Sequence, residues 1–323
     1  MQFPFGSTFF APASDRRFRA NRRDGHSRKA SGQTVRKRSR RIERAVLEAL
    51  ECRRLLSGYT LSVLANFDMT TGMNPEGGVI MDPAGNLYGN AVFGGSFYNG
   101  TVFELPRSAT VVTVLDSFNG PITGSLPYGG LLMDAAGNLF GTARYGGSND
   151  VGTVFELSKA NGFIQSLAEF NGPNGTVPLM GLVADSDGNL YGTASAGGSA
   201  SIGTVFELAL HSATITSLAN GDTNASTFQS TLLMDGAGNL YGTAMQGGAN
   251  AVGSIFELAK GSSTFTVLAS FNTTNGAGPA AGLIADAEGN LYGTTRDGGA
   301  NNDGVVFELP KDSGVITTLA TFN

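Results

Sequence analysis

A unit of about fifty residues is written five times into this chain, and repetition at that period restricts the fold more than any single residue does. Each copy has an apolar triplet ending in Asp, a Gly-Asn-Leu-aromatic-Gly segment, a Gly-Gly loop and a Phe-Glu-Leu segment. The copies are anchored at Asn86, Asn138, Asn189, Asn239 and Asn290, and again at Phe103, Phe155, Phe206, Phe256 and Phe307. Both anchors step by 52, 51, 50 and 51 residues.

Within the second copy, four strands are expected: Gly129 to Asp134, Asn138 to Ala143, Thr153 to Leu157 and Phe163 to Phe170. The turn Asp134-Ala-Ala-Gly137-Asn138 joins the first two as a hairpin, with Asp bonding backbone amides and Gly accepting a positive φ. Four-stranded antiparallel units at this period suit blades around an axis, because radial packing leaves only short edges. The fold class expected is all-β, a β-propeller of about five four-stranded blades spanning residues 58–323. A parallel β-helix would need rungs of roughly half this period, and a helical solenoid would need a 3.6-residue pattern. A fourth-strand pattern also occurs at Tyr59 to Phe67, ahead of the first full unit, so one strand is surplus to five blades. The first strands, among them Leu131-Leu132-Met133 and Leu182-Val183-Ala184, would line the axis if innermost.

Charge divides the chain. Residues 1–57 hold 15 of the 21 Lys and Arg and 5 of the 26 acids, which leaves 6 basic and 21 acidic residues for the repeats. Acidic blades offer no basic stripe to displace counterions from phosphates, so nucleic acid is not an expected partner. Cys52 is the only cysteine, which precludes an intramolecular disulfide. Apolar runs are strand-length and fall short of the roughly 18–20 residues of a membrane span. Residues 1–40 read as a disordered basic tail. From Arg41 to Leu56, Ile42, Ala45, Val46, Ala49 and Leu50 recur at helical spacing, which predicts a short amphipathic helix.

Two stretches resemble known families. Leu50-Glu51-Cys52-Arg53-Arg54-Leu55-Leu56 resembles the LEPR-XLL segment of large exported bacterial proteins, with Cys52 in place of that motif's Pro. GGLLMDAAGNLFGTARYGGSNDVGTVFEL, residues 129–157, resembles the tandem repeat called GloVer of choice-of-anchor bacterial surface proteins, and all five copies match it. The resemblance implies export and a propeller-like repeat region of unestablished biochemical activity, located extracellularly or in the cell envelope. In that family an anchoring segment usually follows the repeats; none is expected after Asn323, which leaves the mode of surface retention open.

Chemistry is sparse by comparison. Asp82, Asp134, Asp185, Asp235 and Asp286 head equivalent turns and are expected to cap backbone amides. As calcium ligands they fail: Asp185-Ser-Asp187-Gly-Asn189 begins like a calcium loop, but Ala196 stands where a bidentate Glu is required. Glu104, Glu156, Glu207, Glu257 and Glu308 are expected to be solvated or paired with a neighbouring blade. Only His26 and His211 are available for a histidine metal centre or a hydrolase triad, and His211 reads as a surface residue at a strand start. No metal, cofactor or catalytic residue is expected.

What varies between copies is the loop between the second and third strands. Antiparallel order puts that loop on the same face as the connection into the next blade, and this face is the expected binding surface. Its distinctive side chains are Phe93, Phe97 and Tyr98 in copy one, Arg144, Tyr145 and Asp150 in copy two, and Arg296, Asp297 and Asp303 in copy five. Aromatic and polar groups on a rigid ring suit a glycan or protein ligand. The expected function is therefore a non-enzymatic envelope or extracellular interaction module. The rival expectation is a polysaccharide lyase or hydrolase using a cluster near Arg144, Tyr145, Arg296 or Asp297.

Overall fold

A computed structural model of the protein describes residues 61–323. The expected basic tail, the expected helix and the LEPR-XLL-like segment lie outside the described residues, as do Tyr59 and Thr60 of the expected surplus strand. Ala65–Asn323 belong to one compact unit.

Five four-stranded antiparallel sheets follow one another along the chain, each in simple sequential order. Blade one holds β1 (Ile80–Met81), β2 (Leu87–Ala91), β3 (Thr101–Leu105) and β4 (Thr113–Ser117), and blade two holds β5 (Leu132–Met133), β6 (Leu139–Ala143), β7 (Thr153–Leu157) and β8 (Ile164–Glu169). Blade three is β9 (Val183–Ala184), β10 (Leu190–Ala194), β11 (Thr204–Leu208) and β12 (Ile215–Asn220). Blade four is β13 (Leu233–Met234), β14 (Leu240–Ala244), β15 (Ser254–Leu258) and β16 (Thr266–Ser270). Blade five is β17 (Ile284–Ala285), β18 (Leu291–Thr294), β19 (Val305–Leu309) and β20 (Thr317–Thr321). One helical turn, α1 (Gly120–Thr123), lies in the connection between blades one and two. The chain is thus all-β, a propeller of five complete blades.

Register explains the repeated residues. Gly141 stands opposite Phe155 across β6 and β7, and a Cβ at Gly141 would lie 2.6 Å from the tip of that ring. Glycine at this position lets the ring lie flat over the backbone of its own sheet. Between β7 and β8 the register slips at Val154/Phe155, and the same slip recurs in all five blades. A bulge of this kind adds local twist, as propeller blades need.

Successive blades pack face to face through separate apolar clusters. One joins Val154, Ala168 and Phe170 of blade two to Leu182, Leu190, Phe206 and Leu208 of blade three. Its centre is an edge-on pair, Phe170 and Phe206, with ring centroids 5.0 Å apart at 85°, a geometry that aligns ring edge with ring face. Phe118 meets Phe155 and Phe271 meets Phe307 in the same way, at 4.8 and 5.1 Å. Gly221 replaces the outgoing phenylalanine between blades three and four. There Phe228, from the following connection, fills the place, 5.3 Å from Phe256.

The first strands are shorter than expected. Leu131, Leu182, Leu232 and Leu283 are all buried, and they join the clusters between blades. The residues ahead of these strands meet backbone to backbone, since a Cβ at Gly129 would lie 2.4 Å from the carbonyl carbon of Met180 in the next blade. Residue 129 is consequently held as part of an inter-blade junction and not as strand. One side chain per blade ties the same junction. Asn90, Thr142, Thr193 and Thr243 donate to the carbonyls of Gly129, Met180, Ser230 and Ala281 at 2.7 to 3.1 Å.

Candidate functional site

Two ends of the propeller carry polar side chains, and they differ in purpose. At the end formed by the first-to-second strand turns, Asp134 Oδ1 accepts from the Asn138 amide at 2.8 Å while Asp134 Oδ2 accepts from Asn138 Nδ2 at 2.8 Å. Asn138 Oδ1 in turn accepts from the amide of Lys159 at 3.0 Å, which fastens this hairpin to the next one. The amide side chain supplies both the donor and the acceptor that this arrangement uses. The same arrangement occurs at Asp82, Asp185, Asp235 and Asp286.

In four blades a tyrosine joins the turn. The Tyr292 hydroxyl lies 2.9 Å from Asp286 Oδ2 and 3.0 Å from Glu308 Oε1, and Tyr88, Tyr191 and Tyr241 repeat the geometry. These glutamates are therefore engaged within their own blade, across the β18–β19 ladder in this case, where solvation or pairing with a neighbouring blade was expected. Glu156, where Phe140 replaces the tyrosine, accepts instead from Gln165 Nε2 at 2.7 Å. His211 is exposed but sits in the turn before β12 with φ 61°, not in a strand.

These clusters respond to pH at both ends of the scale. The side-chain amide of Asn290 beside Asp286, opposed by partial burial and assisted by the Asn290 amide, holds that carboxyl below its usual value. Hydrogen bonds to Asp286 and Glu308, with burial, push the Tyr292 phenol up to about 12. A depressed carboxyl stabilises the fold above its unfolded value and loses that contribution as pH falls through the folded one. A raised phenol stabilises below about 10 and loses the contribution as pH rises through about 12. Stability measured by denaturant unfolding should fall on both sides of a neutral plateau, with Asp286→Asn reducing the acid loss and Tyr292→Phe the alkaline one. Should the phenolate absorbance that Tyr292→Phe removes have its midpoint at the free-phenol value, the cluster is not formed in solution.

The opposite end is the variable one. Here each second-to-third strand loop bridges to the connection entering its blade: Met73 to Phe93, Ser125 to Tyr145, Thr176 to Ala196, Ser226 to Gln246 and Ala277 to Asp297. Loop and connection form one rim, built on backbone hydrogen bonds.

On blade two, the Arg144 guanidinium carbon lies 4.8 Å from the Tyr145 ring centroid and 5.5 Å from that of Tyr128. Two rings hold the cation by cation–π attraction. Arg144 Nε is buried without a hydrogen-bond partner, an unmet donor in a partly desolvated setting. Tyr128 was not among the expected residues. It lies in the connection, where the other copies carry Glu76, Leu179, Gln229 and Ala280, and being the lone aromatic at that position was the signal available.

The remaining expected residues fall into separate places. Asp150 Oδ1 accepts from the Gly146 amide at 2.9 Å and braces its own loop. Arg296 pairs with Asp297 at 2.8 Å on an exposed surface, an arrangement worth about 0–1 kcal/mol. Among the described residues no hydrogen bond or salt bridge joins this pair to Arg144 or Tyr145. Phe93, Phe97 and Tyr98 expose their rings on blade one, at 36%, 53% and 64%, and Asp303 is exposed. An open depression of about 730 Å³, lined by Thr176, Ser199, Ser201 and Asn220 among others, lies on the rim of blade three.

Among the described residues no group of three or more His, Cys, Asp and Glu is placed to hold a metal ion. None of the described helices is long and apolar enough to cross a membrane.

Fold and rim together define a tandem-repeat β-propeller with a variable loop face. The Gloeobacter/Verrucomicrobia repeat matches residues 54–229 and 178–323, and the chain belongs to that family. No curated protein matches it. Among solved structures, the nidogen/laminin complex is similar at 15% identity and a TM-score of 0.50, covering 76% of this chain and 78% of that one. A gluconolactonase of Xanthomonas campestris is similar at 17% identity and a TM-score of 0.48, covering 77% and 76% of the two chains. TolB of Acinetobacter baumannii follows at 16% and 0.45, covering 68% and 49%. At such identities the likeness is one of fold.

Proposed function

We propose that this protein is an exported, non-enzymatic interaction module that holds a glycan or protein ligand on its variable loop face, outside the cell or in its envelope. The carrying observation is Arg144, whose guanidinium lies 5.5 Å from the Tyr128 ring and 4.8 Å from the Tyr145 ring while its Nε–H has no partner within the protein. A guanidinium with unused donors flanked by aromatic faces suits a ligand that offers hydroxyl or carboxylate oxygens beside an apolar surface. Phe93, Phe97 and Tyr98 expose further aromatic rings on the rim of blade one. Export rests on the LEPR-XLL-like leader and on the family resemblance.

An epitope-tagged full chain should be recovered from medium or envelope, and the purified material should then bind members of a glycan array or an envelope-protein panel. Arg144→Ala should weaken that binding about tenfold or more, the worth of a charged hydrogen bond, with the melting temperature little changed. Retention of intact protein in the cytoplasm would contradict the localisation. Turnover of a polysaccharide that Arg144→Ala abolishes would replace the module with the rival enzyme.

A further inference from the structure

Four of the five trailing blade faces are covered by the next blade; among the described residues no blade covers that of blade five. Phe118, Phe170 and Phe271 are 0% exposed, while the equivalent Phe322 is 48% exposed. Ile284 is 69% exposed, where its equivalents Ile80, Leu132, Val183 and Leu233 pack against the following blade. Thr294 repeats the position of Asn90, Thr142, Thr193 and Thr243 but is exposed, and its hydroxyl donates to no carbonyl among the described residues.

Blade one is bare on its other side, but only in part. Val79 is 56% exposed against 3–6% for Leu131, Leu182, Leu232 and Leu283. A Cβ at Gly130 would meet Gly78 and one at Gly181 would meet Gly130, whereas one at Gly78 would meet nothing within 4 Å. Yet Phe103 is already covered. Phe67 sits on it edge-on at 4.8 Å and 69°, as Phe118 sits on Phe155, and Asn66 bridges to Val111. Residues 65–67 thus occupy the seat of a preceding blade's fourth strand. What the junction lacks is the first three strands.

We propose that a three-stranded meander of this repeat's own kind docks on the trailing face of blade five and completes a sixth blade with residues 65–67. The occupant is specified by the four interior junctions: a short apolar strand, a Gly-Asn-Leu-aromatic-Gly strand and a Phe-Glu-Leu strand, with Leu and Phe side chains directed at Ile284, Val306 and Phe322. A second whole copy stacked head to tail does not fit, because its own Phe67 fills the place that Phe322 would need.

The test extends the full chain by repeating residues 273–311 directly after Asn323, which keeps the spacing between Phe271 and β17. A control extension carries Leu283→Asp and Phe307→Asp in the appended copy alone. The first extension should raise the melting temperature by at least about 4 °C, lower hydrophobic-dye binding and resist protease, while the control should do none of these. An extension that stays protease-sensitive with an unchanged melting temperature overturns the proposal. So does sedimentation of the unextended chain as a dimer that Phe322→Ala dissociates, since a second copy would then be the occupant.

Discussion

Phe206→Ala is expected to destabilise the protein by about 3–5 kcal/mol, the cost of emptying a fully buried aromatic site. Phe206 is 0% exposed and forms the centre of the cluster between blades two and three, edge-on to Phe170. Its ring also lies over Gly192 of its own sheet, where a Cβ would approach it to 2.7 Å, so no neighbour can fill the void from that side. Neighbouring repeats stabilise one another through such junctions, and the loss should broaden the unfolding transition as well as lower its midpoint. Phe322→Ala makes the comparison informative. It removes the same kind of side chain, at the repeat position that Phe170 holds against Phe206, but from an exposed face, and should shift stability by no more than about 0.5 kcal/mol. Equal losses for the two variants, measured by urea unfolding, would mean that the trailing face of blade five is buried in solution.

Gly129→Ala should be damaging for the opposite reason, an atom too many. The added methyl would lie 2.4 Å from the Met180 carbonyl carbon and 2.6 Å from its oxygen. Both neighbours are backbone, so no side chain can swing aside. The junction must open, straining the Asn90 hydrogen bond to the Gly129 carbonyl. Overpacking of a rigid contact costs about 1–3 kcal/mol, and the lost bond to a buried amide adds to it. Gly78→Ala, at the open leading side of blade one and at the repeat position of Gly130, meets nothing within 4 Å and should be neutral or gain up to about 1 kcal/mol by restricting the unfolded chain. A calorimetric scan of both variants decides the matter. A Gly129→Ala protein as stable as its parent would show that the blades do not approach as described.

Strands were legible wherever local chemistry sufficed. Thr153–Leu157 forms the expected strand with the expected bounds, because alternation, β-branching and flanking turns all lie within a few residues of one another. Gly129 to Asp134 shrank to Leu132–Met133 because Gly129 and Gly130 meet other blades, a demand no local pattern expresses. The pairing of Tyr292 with Glu308 follows from register across β18 and β19 and could have been derived by aligning the two strands. Tyr128 beside Arg144 could not, since a connection and a loop sixteen positions apart meet only through the bridge between Ser125 and Tyr145. Phe228 replacing the phenylalanine absent at Gly221 is another contact that the repeat pattern conceals.

The amino-acid order alone determined the number of complete blades, the four strands of each, and the Asp and Asn that close every turn, since hydrogen bonds and turn geometry act over short stretches and recur with the text. Burial was decided only in three dimensions. Phe271 and Phe322 share a local context, yet one is sealed and the other exposed, because the hydrophobic effect depends on which neighbour occupies the adjoining space.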